Sequence, residues 1–263
     1  MNSSAPEQTI IIPHYANPGI VRCLETLHAR TPENFRVIVV SQNHDRILQE
    51  RIKPLCHLFI QSYRQLGFAK ACNTGWRLAD TPYVTILNDD VEFIDKRWWE
   101  GVKEGFEDST VVGVNPKSAR QYTMGMSIGD KLPYKEEWTP QEYEEMLALP
   151  YNSLQCQAMF CTTFRTDIAK RIGYFDEYFY PAGGEDIDWI IRAKGLREKA
   201  NKFRGYSVIS TPTSYVWHWW NQSAVDPSFV KARVQLREKW GGDFDMATAT
   251  TRRVIPKTQT KPL

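Results

Sequence analysis

Tyr83-Val-Thr-Ile-Leu-Asn-Asp-Asp-Val91 decides how this chain is read. Tyr83 to Leu87 form a short apolar, largely β-branched run closed by turn residues, which predicts a strand buried on both faces. Such a strand stops at the edge of its sheet, so Asn88, Asp89 and Asp90 are delivered to that edge together. Adjacent carboxylates repel unless a cation or hydrogen-bond donors offset their charge. Oxygen ligands of this kind suit Mg2+ or Mn2+. Asn-Asp-Asp is equally ordinary turn chemistry, so the surrounding chain has to choose between a turn and a site.

Upstream, Thr9-Ile-Ile-Ile-Pro13 predicts a first buried strand and His14 to Gly19 a loop. Ile20 to Ala29 has helical spacing. Strands are expected at Phe35–Val40 and Leu55–Gln61, with a helix over Arg46–Ile52 between them. Gly67-Phe-Ala-Lys-Ala-Cys-Asn-Thr-Gly75 opens another helix. Its small residues allow either close approach of a ligand, with exposed amides that favour anions, or simple helix packing. Downstream come an amphipathic helix ending near Phe106 and a strand at Thr110–Val114. Strands alternating with helices predict a parallel α/β sheet through the first half. Ligands of such sheets sit at the carboxyl ends of the strands, where Asp89 and Asp90 lie.

The pattern changes over 117–150, read as an insertion or lid. Thr139-Pro-Gln-Glu142 within it is a capping-box helix start. Ala158–Phe164 predicts a returning strand and Asp167–Ile172 a short helix stopped by Gly173. Then Gly183-Gly184 meets Glu185, Asp186 and Asp188 at a helix start. Acids favour a helix amino terminus in any case, and Asp188 can pair with Arg192 four residues on; Asp186 is also a candidate general base. Val208–Val216 predicts strand, and Trp217-His218-Trp219-Trp220 sets a histidine in an apolar environment where neutral imidazole can ligate metal. A helix over Val230–Trp240 precedes a tail, 243–263, expected to be mobile or a docking arm.

The 263 residues carry 33 basic and 31 acidic side chains, a balance that demands neither nucleic acid nor membrane. Nine Trp and twelve Tyr are read mainly as core, some as platforms for rings. Five cysteines without a C-x-x-C pair argue against a disulfide framework and for a reducing, cytoplasmic setting. No apolar run reaches the length of a membrane span, and Met1 to Gln8 lacks the features of a signal peptide.

Taken in order, the Ile-Ile-Ile-Pro strand, Gly67 to Gly75, Leu87-Asn-Asp-Asp-Val91, Gly173-Tyr-Phe-Asp-Glu177, Gly184-Glu-Asp-Ile-Asp-Trp189, and His218 followed by Ser223 resemble the inverting nucleotide-sugar glycosyltransferases of family 2. The likeness is to their non-processive, rhamnosyltransferase-like members, and it runs from about Thr9 to Gly242. It implies a single GT-A domain over 1–242: a Rossmann-like mixed α/β sheet, with a nucleotide-sugar half at 9–115 and an acceptor half at 116–242. It implies Asp90 and His218 as ligands of Mn2+ or Mg2+. A UDP-, dTDP- or GDP-linked sugar donor would meet Pro13, Tyr15, Ser41, Asn43, Gly67, Lys70, Asn73, Asn88 and Asp89. Asp186 would take the proton of an acceptor hydroxyl on a glycan or glycolipid, with Glu185, Trp189, Trp219 and Trp220 around the acceptor.

The chain departs from the family at two points. Its second strand ends in Ser41-Gln42-Asn43 rather than acids, which leaves the base open, and Asn88 replaces the first acid of the metal motif. The Gln-x-x-Arg-Trp signature of processive synthases is missing, so single-sugar transfer is expected. A sugar-nucleotide pyrophosphorylase would need a glycine-rich loop after the first strand, where His14-Tyr-Ala-Asn-Pro stands. Two further alternatives keep the fold: a non-catalytic sugar- or nucleic-acid-binding module, and transfer to hydroxymethylated bases of viral DNA, suggested by the basic residues Arg192, Lys194, Arg197, Lys199, Lys202 and Arg204.

Overall fold

The expected first strand is β1 (Gln8–His14), and it is the axis of the molecule. Ile10 and Ile12 pack against one helical layer and Ile11 against the other, all three with no exposed surface. Side chains alternate across a strand, so a β-branched run with no polar alternation can only be covered on both faces. The computed structural model describes residues 5–32, 34–118, 135, 137–148, 159–195, 205–219, 227–241, 244–245 and 250–251.

β1 pairs in parallel with β2 (Phe35–Ser41) on one side and β4 (Tyr83–Leu87) on the other, and β2 pairs with β3 (Leu58–Gln61). The sheet then turns mixed. β7 (Cys161–Arg165) runs antiparallel between β4 and β6 (Val111–Lys117), and β8 (Ser207–Tyr215) closes the edge parallel to β6. The order is β3-β2-β1-β4-β7-β6-β8. The expected parallel half is therefore β3 to β4; the second half joins it through an antiparallel strand. β3 begins later than expected because Pro54 lies in a single 3-10 turn over Lys53–Leu55, where its missing N–H would spoil a ladder.

α1 (Ile20–Arg30) and α4 (Trp98–Glu104) cover one face, with Leu24, Leu27, Trp98, Trp99 and Val102 against Ile10, Val37 and Val39. The other face carries α3 (Phe68–Trp76), α6 (Thr166–Ile172) and α7 (Glu185–Gly195), with Trp76, Phe164, Trp189 and Ile190 around Ile11 and Ile86. α2 (Arg46–Ile52) starts at an Asp45 cap that accepts from Ile47 N and Leu48 N. The core reading of the tryptophans holds for Trp76, Trp98, Trp99 and Trp189, all completely buried.

Close helix–sheet approach depends on small residues. A Cβ on Gly101 of α4 would lie 2.3 Å from the carbonyl oxygen of Thr213 in β8. That neighbour is backbone and cannot rotate away. Gly101→Ala is expected to cost about 1–3 kcal/mol through overpacking, read as a lowered urea midpoint with an unchanged m-value; an unaltered midpoint would mean α4 is free to shift.

Part of the 117–150 segment can be described. α5 (Pro140–Ala148) has the predicted capping box: Glu142 N donates to Thr139 Oγ1 (3.3 Å) and Thr139 N to Glu142 Oε2 (3.0 Å). Its Tyr143 and Met146 are buried against Ile94, Tyr215 and Trp217, and Arg97 lies over the Tyr143 ring at 4.6 Å. This helix is docked on the body. Met124 to Gly129, within the expected lid, lies outside the described residues. In the expected tail, β10 (Phe244–Asp245) and β11 (Thr250–Thr251) form an antiparallel ribbon, with β11 beside α7; 252–263 fall outside the described residues. No helix among the described residues is long and apolar enough to cross a membrane.

Candidate active site

At the carboxyl end of β4 the chain turns through Asn88, Asp89 and Asp90 and enters β5 (Val91–Glu92). This two-residue strand pairs antiparallel with β9 (Trp217–His218), Val91 opposite His218, and Trp219 N donates to the Asp90 carbonyl (2.9 Å). The pairing carries His218 Nε2 to 3.0 Å from Asp90 Oδ1, both side chains nearly buried. Asp90 Oδ1 makes no hydrogen bond among the described residues. Phe160 stacks on the imidazole at 4.6 Å, and Ser118 Oγ accepts from His218 N (3.1 Å). A buried carboxylate oxygen without a hydrogen bond, facing a ring nitrogen, is the chemistry of a divalent-cation site with mixed oxygen and nitrogen ligands. The described residues contain no cluster of three or more such side chains. A cation here would draw its remaining ligands from water and bound phosphate, as Mg2+ sites commonly do.

The two adjacent acids take different partners. Asp89 turns the other way, where its Oδ2 accepts from Nδ1 of His14 at 2.8 Å and its Oδ1 from Asn17 Nδ2 at 3.3 Å. Burial pushes the Asp89 carboxyl up and the Asp90 charge adds to this; the His14 and Asn17 hydrogen bonds pull it back. His14 ends β1 at the same sheet edge as Asp89, completely buried, and was read from the sequence only as the start of a loop. Its polar side chain directly after Ile-Ile-Ile-Pro was the available signal.

On the other side, Gly183 (φ +97°) and Gly184 (φ +98°) turn the chain into α7 in a conformation that side chains rarely adopt. Glu185 and Asp186 open that helix. Burial pushes Glu185 up to about 8, and the neighbouring Asp186 charge adds to this; burial pushes Asp186 up to about 6, against the pull of the Ile187, Asp186 and Met159 amides. Glu185 Oε2 is buried without a hydrogen-bond partner among the described residues. The Met159 amide thus reaches Asp186 while the next residue, Phe160, stacks on His218 and accepts from Asn88 N (2.8 Å). Residues 159–160 join the candidate base to the candidate metal ligands.

Because the folded protein holds a proton on Glu185 that the unfolded chain releases near the ordinary 4.5, stability falls as pH rises from about 4.5 to about 8. Glu185→Gln removes that ionisation. Its melting temperature is expected to match wild type near pH 5 and to exceed it increasingly toward pH 8.5; parallel curves would exclude a buried, reluctant Glu185.

The expected donor residues have varied fates. Pro13 is buried within β1, and Tyr15 just beyond it is 45% exposed. Ser41 Oγ accepts from Asn43 N, and the Asn43 carbonyl accepts from Gln49 Nε2 and Gln61 Nε2. The amides leading into α3 are largely engaged: Leu66 N and Gly67 N donate to Gln42 Oε1, and Phe68 N donates to the Pro181 carbonyl. Gly75 fits against Ile11, whose Cγ2 would lie 2.6 Å from an added Cβ, so packing explains the small residues. Lys70 is exposed near Glu177 (3.8 Å). Asn73 is buried and clips the loop before α7 through Phe175 N, Phe175 O and Glu177 Oε1; every polar atom of its amide is occupied, which removes it from direct nucleotide contact in this arrangement.

Trp189 is also corrected. It is completely buried against Trp76 and Phe164, with Nε1 donating to the Gly173 carbonyl (2.7 Å), and has no face to offer a sugar ring. Trp219 is half-buried; its Nε1 donates to Glu92 Oε1 (2.8 Å), and Glu92 Oε2 accepts from Arg22. Trp220 and Ser223 lie outside the described residues. The Asp188–Arg192 pair forms as predicted at 2.9 Å. Arg192 also donates to the carbonyls of Ile172 and Tyr174, so the first member of the basic run serves the interior; Arg197, Lys199, Lys202 and Arg204 lie outside the described residues.

Residues 9–173 match the family described as Glycosyl transferase family 2. No curated protein matches the chain. Among solved structures the chain is similar to the mannosyltransferase PcManGT from Pyrobaculum calidifontis in complex with GDP-Man and Mn2+, at 16% identity and a TM-score of 0.56. That match covers 84% of this chain and 59% of the mannosyltransferase. It is also similar to S. aureus TarS 1-349 in complex with UDP-GlcNAc, at 16% identity and a TM-score of 0.56, over 92% of this chain and 69% of that one. At such identities the likeness concerns the fold.

Proposed function

The chain belongs to glycosyl transferase family 2 and has the GT-A architecture, and on that premise we propose that it moves one sugar from a nucleotide-diphosphate donor to an acceptor hydroxyl with inversion at the anomeric carbon. One observation carries the reading most of the way: residues 159–160 link Asp186 to the Asp90–His218 pair across the carboxyl edge of the sheet. A proton acceptor and a cation site are what direct displacement at a glycosyl diphosphate requires.

In this reading Asp90 and His218 would hold Mn2+ or Mg2+. Once bound, the cation offsets the negative charge on the departing diphosphate. Asp186 accepts the proton of the acceptor hydroxyl as that oxygen forms its bond to the anomeric carbon from the face opposite the diphosphate, whose C–O bond breaks. Raising Asp186 toward 6 strengthens it as a base while leaving it ionised at neutral pH. Trp219, anchored by Glu92 and half-buried, is the described tryptophan we assign to the acceptor.

The test is a donor panel of UDP-, dTDP- and GDP-linked sugars, dTDP-rhamnose among them, with Mn2+ and with EDTA, following nucleotide release and the anomeric configuration of the product. Turnover of at least one donor with an inverted product is expected. Turnover of none, or a retained configuration, would sink the reading.

A further inference from the structure

Asp89 and Asp90 are neighbours in sequence, yet their carboxylates are held by different parts of the fold. Asp90 Oδ1 has no hydrogen bond among the described residues, whereas both oxygens of Asp89 are engaged, Oδ2 by His14 and Oδ1 by Asn17. Neither partner is free to drift. His14 is the last residue of β1, in register with Ser41, and its carbonyl accepts from Gln42 N (2.8 Å). Asn17 Oδ1 accepts from Gly19 N (2.9 Å), which orients the amide so that Nδ2 faces Asp89, and Nδ2 also donates to the Asp89 carbonyl (3.1 Å).

We propose that His14 is the positioning residue of Asp89: it holds that carboxylate away from the cation, so that Asp89 serves the donor's hydroxyl groups while Asp90 and His218 keep the metal. The proposal rests on the transferase reading above. A carboxylate offers about four lone-pair directions; two are spent on His14 and Asn17, and the remaining ones match hydroxyl donors, such as those of a ribose or sugar ring, better than a cation that wants an uncommitted oxygen. His14 thus gives a physical cause for the division between Asp89 and Asp90 that the family resemblance implied. The competing explanation is that His14–Asp89 is only a stabilising buried contact.

Two variants separate the cases. Asn presents its Nδ2 where the histidine presents Nδ1, so His14→Asn keeps the donor to Asp89, while His14→Ala removes it. Binding of UDP, dTDP and GDP in the presence of Mn2+ is measured by calorimetry, and binding of Mn2+ alone by electron paramagnetic resonance. His14→Ala is expected to lose nucleotide affinity by about tenfold or more with no loss of Mn2+ affinity, because a released Asp89 is free to join the metal. His14→Asn is expected to recover to within about threefold of wild type, the scale of an exchange between donors of similar strength. Nucleotide affinity unchanged in His14→Ala, His14→Asn no better than His14→Ala, or Mn2+ affinity falling in step with nucleotide affinity would each overturn the proposal. Wild-type protein that binds none of the three nucleotides would overturn the transferase reading along with it, whereas wild-type binding with an indifferent His14→Ala overturns the positioning role alone.

Discussion

Asp186→Asn is expected to lower kcat by about 10²–10⁴-fold, the usual contribution of a positioned general base, while donor affinity stays near wild type. Asn retains the size of the side chain and an oxygen for the Ile187 and Met159 amides, so α7 keeps its start. It cannot take a proton. The residual rate should also lose the rising limb of the pH profile. In wild type, activity climbs as pH passes about 6 and Asp186 ionises, since burial disfavours its charged form below that point. Because Glu185 lies beside it with a carboxyl held up to about 8, the two titrate as a pair, and the limb belongs to both. A comparable loss of donor binding in Asp186→Asn, measured calorimetrically, would assign the residue to positioning; full activity would remove it from the site.

The second large effect concerns the cation. Asp90→Asn and His218→Ala should each lower kcat/KM by about 10–100-fold or more and shift the Mn2+ concentration for half-maximal rate upward. Because Asp90 and His218 face one another at 3.0 Å, the double variant should cost scarcely more than either single one, as groups acting as a unit do. Additive losses would mean that the two side chains serve separate purposes. Asp89→Asn should behave differently, raising the donor KM with the metal requirement unchanged.

The central half of the fold was legible because its signals are local. Thr9 to Pro13 and Tyr83 to Leu87 are β-branched runs that only a doubly covered strand accommodates, and Thr139 with Glu142 is a cap that closes on itself within four residues. Asp188 and Arg192 needed only one turn of helix to meet. What stayed hidden was set by tertiary contact. β5 and β9 are two residues each, too short for any periodicity, yet their pairing brings His218 to Asp90. Trp189 looked available because Ile187, Ile190 and Ile191 seemed to complete the apolar face of α7. The helix is in fact covered on several sides, with Trp189, Asp188 and Ala193 buried as well, so the indole of Trp189 is turned into the core rather than toward a ligand. His14 sat in a stretch whose Asn17-Pro18-Gly19 reads as loop, and its partner Asp89 is 75 positions away.

The ribbon of β5 and β9 brings together two parts of the chain more than a hundred residues apart at the candidate site. Val91 directly follows β4 in the chain, whereas His218 lies beyond β8, the edge strand of the sheet. Without β9, Asp90 has no imidazole opposite it. A metal and donor held at a site completed by this ribbon would add their binding free energy to the native state alone. A chain cut short of Trp217 is expected to keep all seven strands of the sheet while losing the imidazole opposite Asp90.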